Sequence, residues 1–310
     1  DDWARIWMET TGTEKHLEKL KKSTFKGADS EEDIYKANDL PYMIPELREG
    51  RSEFELSKKA IKGIIDFDEL KGCIHNHSTW SDGGRTIEEM AIACRERGLE
   101  YFGIADHSKS AFYAGGMQAN RVPAQWKEVD KLNDKLAPFR IFKGIESDIL
   151  KDGSLDYDDD LLAGFDYVVA SIHSGFNMTE KEATTRLINA IENPYTTVLG
   201  HMSGRKLLNR AGYPINHKQV IDACADNGVV IEINSNPLRL DVDWQWLHYA
   251  QERGVTISIN PDAHSIPEID FMRYGVMMAR KGGIQKENVL NTLPLAEIER
   301  FFEARKQKRN

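Results

Sequence analysis

Cys73, His75 and His77 stand at i, i+2 and i+4 in the stretch KGCIHNHSTWSDGG, residues 71–84. In an extended strand alternate residues share a face, so the two imidazoles project together, roughly 6–7 Å apart at the backbone. Two ring nitrogens at that separation can bind one metal ion. The following SDGG is turn-forming and carries Asp82 back toward the same end of the strand. Taken alone, His-x-His also fits two surface histidines on an edge strand. What favours chemistry is that the arrangement recurs.

The chain has nine histidines. Six fall at or just beyond the carboxyl end of a predicted strand: His75, His77, His107 (IADHS), His173 (ASIHS), His201 (LGHMS) and His264 (PDAHS). Asp82, Asp106, Glu146 (KGIES) and Asp262 occupy comparable positions. Imidazoles and carboxylates gathered at one centre without partners would be costly, and bound divalent cations remove that cost. Mixed nitrogen and oxygen ligation suits zinc, manganese or iron. So many ligands exceed the needs of one tetrahedral ion, which points to two or three metals sharing a bridging carboxylate. Asp106 would point away from His107 in a continuing strand and reads as a supporting or turn residue. Cys73 lies further from the strand end and reads as a buried apolar residue. His16, His217 and His248 fall in predicted helices, with surface or packing roles.

The elements that must carry these residues begin at Lys71. Short apolar strands alternate with amphipathic helices: GCIHNH, EYFGIAD, RIFKGIES, DYVVASIH, TTVLGHM, VVIEINS and TISINPD, interleaved with helices that include Val122–Leu136, Thr179–Glu192, Asn216–Asn227, Asp243–Arg253 and Glu268–Lys281. Alternation of this kind predicts parallel βα units, closed into a barrel or wound as an open sheet. In either case functional groups gather at the carboxyl ends of the strands. The glycines of ERG-L, DNG-V and ERG-V sit where helix C-caps belong.

At 310 residues, 40% hydrophobic and 29% charged, the composition is that of a soluble globular protein with ample core. No run approaches the ~20 apolar residues of a membrane helix, so no membrane partner is expected. Three scattered cysteines give neither a disulfide framework nor a C-x-x-C zinc site, and a reducing, cytoplasmic setting is the simplest reading. The net charge of −9 argues against nucleic-acid binding through a broad basic surface, although clustered cations can reverse the sign of a local site.

The first sixty or so residues read as a separate piece. Trp3–Thr11 is a strand or short helix, Glu14–Lys22 is helical in composition, and SEEDIYKAN has a capping-box start. LPYMIPELREG is extended, and Glu53–Ile65 reads as helix or linker. The opening DDWARIW lacks a methionine, as expected for a piece of a longer protein.

Taken together, HNH with the following SDG, DHS, Glu146, SIHS, GHMSGR, EINSNPLRLD and PDAH resemble the PHP (polymerase and histidinol phosphatase) domain from about Lys71 to Ile284. The resemblance implies an α/β fold: a distorted seven-stranded (β/α)7 barrel with a trinuclear metal site at its carboxyl rim. Carried over by motif, His75, His77, Glu146 and Asp262 would form the first metal's shell. Glu146 would bridge to a second ion held by His173 and His201, and Asp82, His107 and His264 would hold the third. His107, Asp262 and His264 are the residues assigned to catalysis.

The Asp-Gly at Asp82 resembles the version attached to bacterial family X DNA polymerases. TTGTEKHLEKL resembles a stretch near those polymerases' nucleotide site, with Thr13 and Leu17 departing from the usual serine and asparagine. By this reading residues 1–50 are a small α+β remnant of the polymerase's last subdomain, 51–70 a linker, and 71–310 the barrel. The rest of the polymerase would lie upstream.

The implied reaction is hydrolysis of a phosphate ester by a metal-bound hydroxide, with zinc or manganese as the metal and iron possible. The implied substrate is a DNA 3′ end, cleaved 3′→5′. Arg239 (NPLRLD), Arg205 (SGRK) and Lys109 (DHSKS) are the candidate phosphate contacts. Two alternatives stay open. One is a phosphomonoesterase of the histidinol-phosphate type, and the other is an inactive module in which metals are structural.

Overall fold

The structure, a computed structural model, describes residues 2–307; residues 1 and 308–310, the outer ends of the expected units, lie outside it. The seven apolar runs form strands β1 (Gly72–Cys73), β2 (Tyr101–Ile104), β3 (Arg140–Asp148), β4 (Tyr167–Ser171), β5 (Val198–Leu199), β6 (Val230–Asn234) and β7 (Ile257–Asn260). All neighbours pair in parallel, in sequence order from β1 to β7.

The sheet curls until its first and last strands meet. Asn76 bridges to Ala263, and the His77 N–H donates to the Ala263 carbonyl at 2.8 Å. Lower in the seam Asn291 replaces the missing ladder. Its Oδ1 accepts from Ile259 N–H at 2.6 Å, its Nδ2 donates to the Gly72 carbonyl at 3.0 Å, and its own carbonyl accepts from Lys71 N–H at 2.7 Å. The result is a (β/α)7 barrel. The expected strand over GCIHNH pairs regularly only at Gly72–Cys73, because beyond it the backbone bends to reach β7.

Strand periodicity decides what fills the barrel. Tyr167 and Val169 of β4 point inward with Tyr101, Phe142 and Val230, while Val168 and Ala170 face the surrounding helices. The amino end of the barrel is plugged by its last helix. Phe302 stacks on Tyr167 with ring centroids 5.2 Å apart and meets Phe142 edge-on at 5.0 Å. Only the carboxyl end is left for chemistry.

Four helices precede the barrel: α1 (Trp3–Thr11), α2 (Glu14–Leu17), α3 (Glu31–Ala37) and α4 (Lys58–Lys62). Eight more follow: α5 (Ile87–Glu96), α6 (Val122–Leu136), α7 (Asp159–Leu162), α8 (Glu180–Glu192), α9 (His217–Asn227), α10 (Leu247–Glu252), α11 (Met272–Lys281) and α12 (Leu295–Gln307). Local chemistry sets their ends. Thr86 and Thr179 cap α5 and α8 in reciprocal capping boxes with Glu89 and Glu182. Gly98, Gly228 and Gly254 take φ of +80°, +62° and +74°, the left-handed turn expected before the next strand.

The first fifty residues differ from expectation. Instead of α+β structure, their described part contains helices and 3₁₀ turns without a strand. The apolar residues recur at helical spacing, so Ala4, Met8, Ile34 and Tyr35 bury one face in a small core of their own. Nor is 51–70 a loose linker. Ile61 and Ile64 complete that small core, while Ile65 and Leu70 enter the barrel's. His16 packs within it, held between Glu53 and Tyr35 at 2.8 Å each. The piece is fastened to α11 through Arg280–Glu46 (2.9 Å) and a close Lys281–Glu49 pair. Among the described residues no helix is long and apolar enough to cross a membrane.

Candidate metal centre

Six of the seven strands deliver polar residues at or near the point where the ladder ends. His75 and His77 follow β1, His107 follows β2, Glu146 lies near the end of β3, His173 follows β4, His201 follows β5, and Asp262 and His264 follow β7. Asp82 returns on the turn after β1. Gly83 lets that turn close, since a Cβ there would sit 2.5 Å from the His77 carbonyl carbon. His201 and Asp262 adopt φ of +21° and +53°, unusual for residues with side chains and costing about 1–3 kcal/mol each.

These nine residues link into one continuous cluster. Glu146 is its hub. Its Oε1 lies 3.0 Å from His201 Nε2, 3.1 Å from His173 Nε2 and 3.3 Å from His75 Nε2, and its Oε2 lies 2.9 Å from His107 Nδ1. Asp262 Oδ1 is 2.9 Å from His77 Nε2 and 3.6 Å from His75 Nε2. Asp82 Oδ1 faces His264 Nε2 at 3.3 Å and His107 Nε2 at 3.7 Å. Three subsets converge closely enough to hold an ion: His75, His77 and Asp262; His107, Glu146 and His173; and His77, Asp82, His107 and His264.

The donor atoms fit cations. His75 Nε2, His77 Nδ1, His107 Nδ1, His173 Nε2 and Glu146 Oε2 are buried and crowd one another, yet none is in an aligned hydrogen bond. Buried polar atoms are rarely left so unless something else binds them. Charge is correspondingly unsettled. Burial resists ionisation of Glu146, but His173, His75 and His107 together hold its carboxyl well below the usual range. Burial and the neighbouring His264 and His107 push His77 down to about 3, leaving it a neutral donor. For His173 and His264 burial is outweighed by facing carboxylates, and both rise to about 9.

Beneath the rim lies a layer that sequence reasoning missed. Glu232 of β6 stands 2.6 Å from His75 Nδ1 and accepts from the His201 N–H at 3.0 Å. Asp148 pairs closely with His173 Nδ1, and Asn234 donates to Asp262 Oδ2 at 2.9 Å. A signal existed, since Glu232 interrupts the otherwise apolar run VVIEI and Asp148 shares a strand face with Glu146. Asp106 supports the turn, accepting from Ser78 N–H at 2.7 Å, Ser81 Oγ at 2.6 Å and Gln125 Nε2 at 2.8 Å. Cys73 is buried beside Cys94 and Asn76.

Of the three candidate phosphate contacts, Arg239 alone faces the centre, with Nε 3.6 Å from Asp262 Oδ2. Arg205 is corrected: its guanidinium is held by Asp243 at 2.6 Å, by the Arg239 carbonyl at 3.0 Å and by the Leu240 carbonyl, so it latches two loops together. Lys109 does not line the cavity, and its Nζ lies 5.7 Å over the Tyr157 ring. Lys206 and Arg210 line the site instead, around a cavity of about 430 Å³. Its mouth faces solvent, since Tyr113 and Leu238 on its wall are largely exposed.

Barrel and rim together define a metal-dependent phosphoester hydrolase. The PHP domain matches residues 74–236, more than half of the chain, and the chain belongs to that family. DNA polymerase/3′-5′ exonuclease PolX of Bacillus subtilis is 43% identical over 286 residues, covering 92% of this chain and 50% of that protein. The chain therefore spans half the length of that relative. A "Probable phosphatase" of Thermoanaerobacter sp. (strain X514) is 27% identical over 251 residues, covering 76% of this chain and 95% of that protein. The crystal structure of histidinol phosphate phosphatase from Lactococcus lactis, complexed with zinc, L-histidinol and phosphate, superposes with a TM-score of 0.51 at 16% identity. It covers 70% of this chain and 95% of that one, a likeness of fold.

Proposed function

We propose that this chain is a 3′-5′ exonuclease that releases nucleotides from a DNA 3′ end, using two or three divalent ions. The observation that carries the reading is the set of buried imidazole and carboxylate atoms that converge without aligned hydrogen bonds beneath a solvent-facing cavity. The preference for DNA over a small monoester is supported by the similarity to PolX across nearly the whole chain and by the open mouth, which can admit a strand.

The ligand set is His75, His77, Glu146 and Asp262 for one ion, Glu146, His173 and His201 for a second, and Asp82, His107 and His264 for a third. Zinc or manganese suits this mixed donor set. Bound there, the ions supply Lewis-acid activation of water and phosphate at neutral pH. Within this set His107, Asp262 and His264 belong nearest the reacting phosphate, His107 standing between Glu146 and Asp82. Arg239 holds a non-bridging phosphate oxygen beside Asp262. Glu232 and Asp148 fix the tautomers and orientations of His75 and His173 from behind. Upstream polymerase domains would present the DNA end, as the greater length of PolX suggests.

The test is release of mononucleotides from single-stranded DNA with manganese or zinc, set against turnover of histidinol phosphate. Efficient turnover of the monoester without nucleotide release would replace the reading with a phosphomonoesterase. Absence of both activities from the metal-loaded protein would leave a structural metal module.

A further inference from the structure

Two features of the cavity wall go beyond what hydrolysis of one phosphate requires. The first is aromatic. Tyr113 lines the cavity, and Phe112 precedes it on the same 3₁₀ turn just past His107; the two rings are 70% and 82% exposed. Rings of that size are normally buried. Their loop is nevertheless firmly built. Asp156 accepts from Ser110 N–H at 2.7 Å and Ser110 Oγ at 2.5 Å, Gly116 N–H donates to the Ala111 carbonyl at 3.0 Å, and Met117 N–H donates to the His107 carbonyl at 2.8 Å. The Tyr113 ring lies 6.2 Å from the His107 ring and 6.5 Å from that of His173, at the edge of the cluster.

The second feature is cationic. Lys206 and Arg210 are tied by a pair of backbone hydrogen bonds of 2.9 and 2.7 Å and share the cavity with Arg239. Arg210 lies 3.9 Å over the Phe176 ring and donates to the Gly204 carbonyl at 2.7 Å. Among the described residues neither Lys206 nor Arg210 has a carboxylate partner within 4.0 Å. Partial burial, then the charges of Arg239 and Arg210, lower the Lys206 amine. In a chain of net charge −9, like charges gathered this way favour an incoming anion. Arg239 beside Asp262 serves the scissile phosphate, leaving Lys206 and Arg210 for another.

We propose that this wall and the turn at its edge form a strand-binding subsite: a base at the 3′ end stacks on Tyr113, with the exposed Phe112 ring beside it, and Lys206 with Arg210 holds the neighbouring phosphate. The substrate class is then a single-stranded oligonucleotide end of at least two nucleotides. Stacking and phosphate contacts are both indifferent to base identity, so cleavage shows little sequence preference. The inference rests on the exonuclease reading.

The experiment compares a normal with an abasic 3′-terminal nucleotide on the same oligonucleotide. The expected result is a lower KM for the base-bearing end. Phe112→Ala with Tyr113→Ala raises that KM about tenfold and removes the distinction between ends, while Tyr113→Trp retains it. Lys206→Gln reduces the slope of log KM against log salt by about 0.7, one single-strand phosphate contact. Because these side chains are at the surface, melting temperatures should match the parent and exclude misfolding. A double variant that still distinguishes the two ends, or an unchanged salt slope in Lys206→Gln, overturns the subsite alone. If the parent releases no nucleotide from either oligonucleotide yet hydrolyses histidinol phosphate, the exonuclease reading falls and the subsite with it.

Discussion

His75 is held from both sides: Nδ1 lies 2.6 Å from Glu232 Oε1, and Nε2 faces Glu146 Oε1 at 3.3 Å. With Nδ1–H donating to Glu232, the Nε2 lone pair is directed at the cluster, and the ring cannot rotate without breaking a buried contact. Glu232→Gln removes the charge but keeps the shape. We expect metal affinity or activity to fall roughly 10–100-fold with the fold intact. Metal content after dialysis and circular dichroism measure the two, and an unchanged metal content would refute the assignment.

Removing metal should silence hydrolysis and also loosen the molecule. The rim packs six imidazoles against three carboxylates, and cations that bind only the folded chain stabilise it by mass action, about 2.7 kcal/mol at a hundredfold excess over Kd. After treatment with a chelator the melting temperature should drop by several degrees, and manganese or zinc should restore both activity and stability. Equal melting curves with and without metal would argue that the cluster is indifferent to ions.

Asn291 closes the seam between β1 and β7. Asn291→Ala would strand the buried Ile259 N–H and Gly72 carbonyl, at about 1–3 kcal/mol for each group. Chemical denaturation should therefore show a loss of roughly 3 kcal/mol. Asn291→Asp, which keeps the acceptor for Ile259 but sets a buried carboxylate oxygen against the Gly72 carbonyl and Asn260 Oδ1, should be at least as damaging. A variant as stable as the parent would mean that the seam is held elsewhere.

The small helical core has an acid limit. Burial works to raise the Glu53 carboxyl, but His16 and the N–H groups of Gly50 and Arg51 outweigh it and leave it below its usual 4.5. A depressed folded-state pKa contributes stability that is present above the unfolded value and lost as pH falls through the folded one. Stability should thus decline below about pH 4.5, and Glu53→Gln should flatten that decline while lowering stability at neutral pH. Hydrogen exchange in α2 and α3, followed against pH, would detect it. The same pH dependence in the variant would exclude Glu53 as the cause.

Much of the fold could be read from local pattern. Val122–Leu136 appears with the expected bounds because its apolar spacing and Pro123 leave little choice. Alternating strands and helices left barrel and open sheet both possible; closure came from the Asn76–Ala263 bridge and the Asn291–Gly72 hydrogen bond, contacts that each span more than 180 residues of chain. The α+β expectation for the N-terminal piece failed because short polar helices there draw their stability from a shared core, which local propensity does not register.

The nine proposed ligands were legible because a strand's end is marked locally, by an apolar run meeting a turn, and parallel βα topology sends every such end to one rim. That much the amino-acid order determines by itself. Only tertiary structure decided that Lys206 rather than Arg205 meets the cavity, since Asp243 and the Arg239 and Leu240 carbonyls claim the Arg205 guanidinium from 34 to 38 residues away. It also decided which carboxylates stand behind the histidines. Adjacent residues on a loop have no fixed period, so the direction each one points is set by the neighbours it finds after folding.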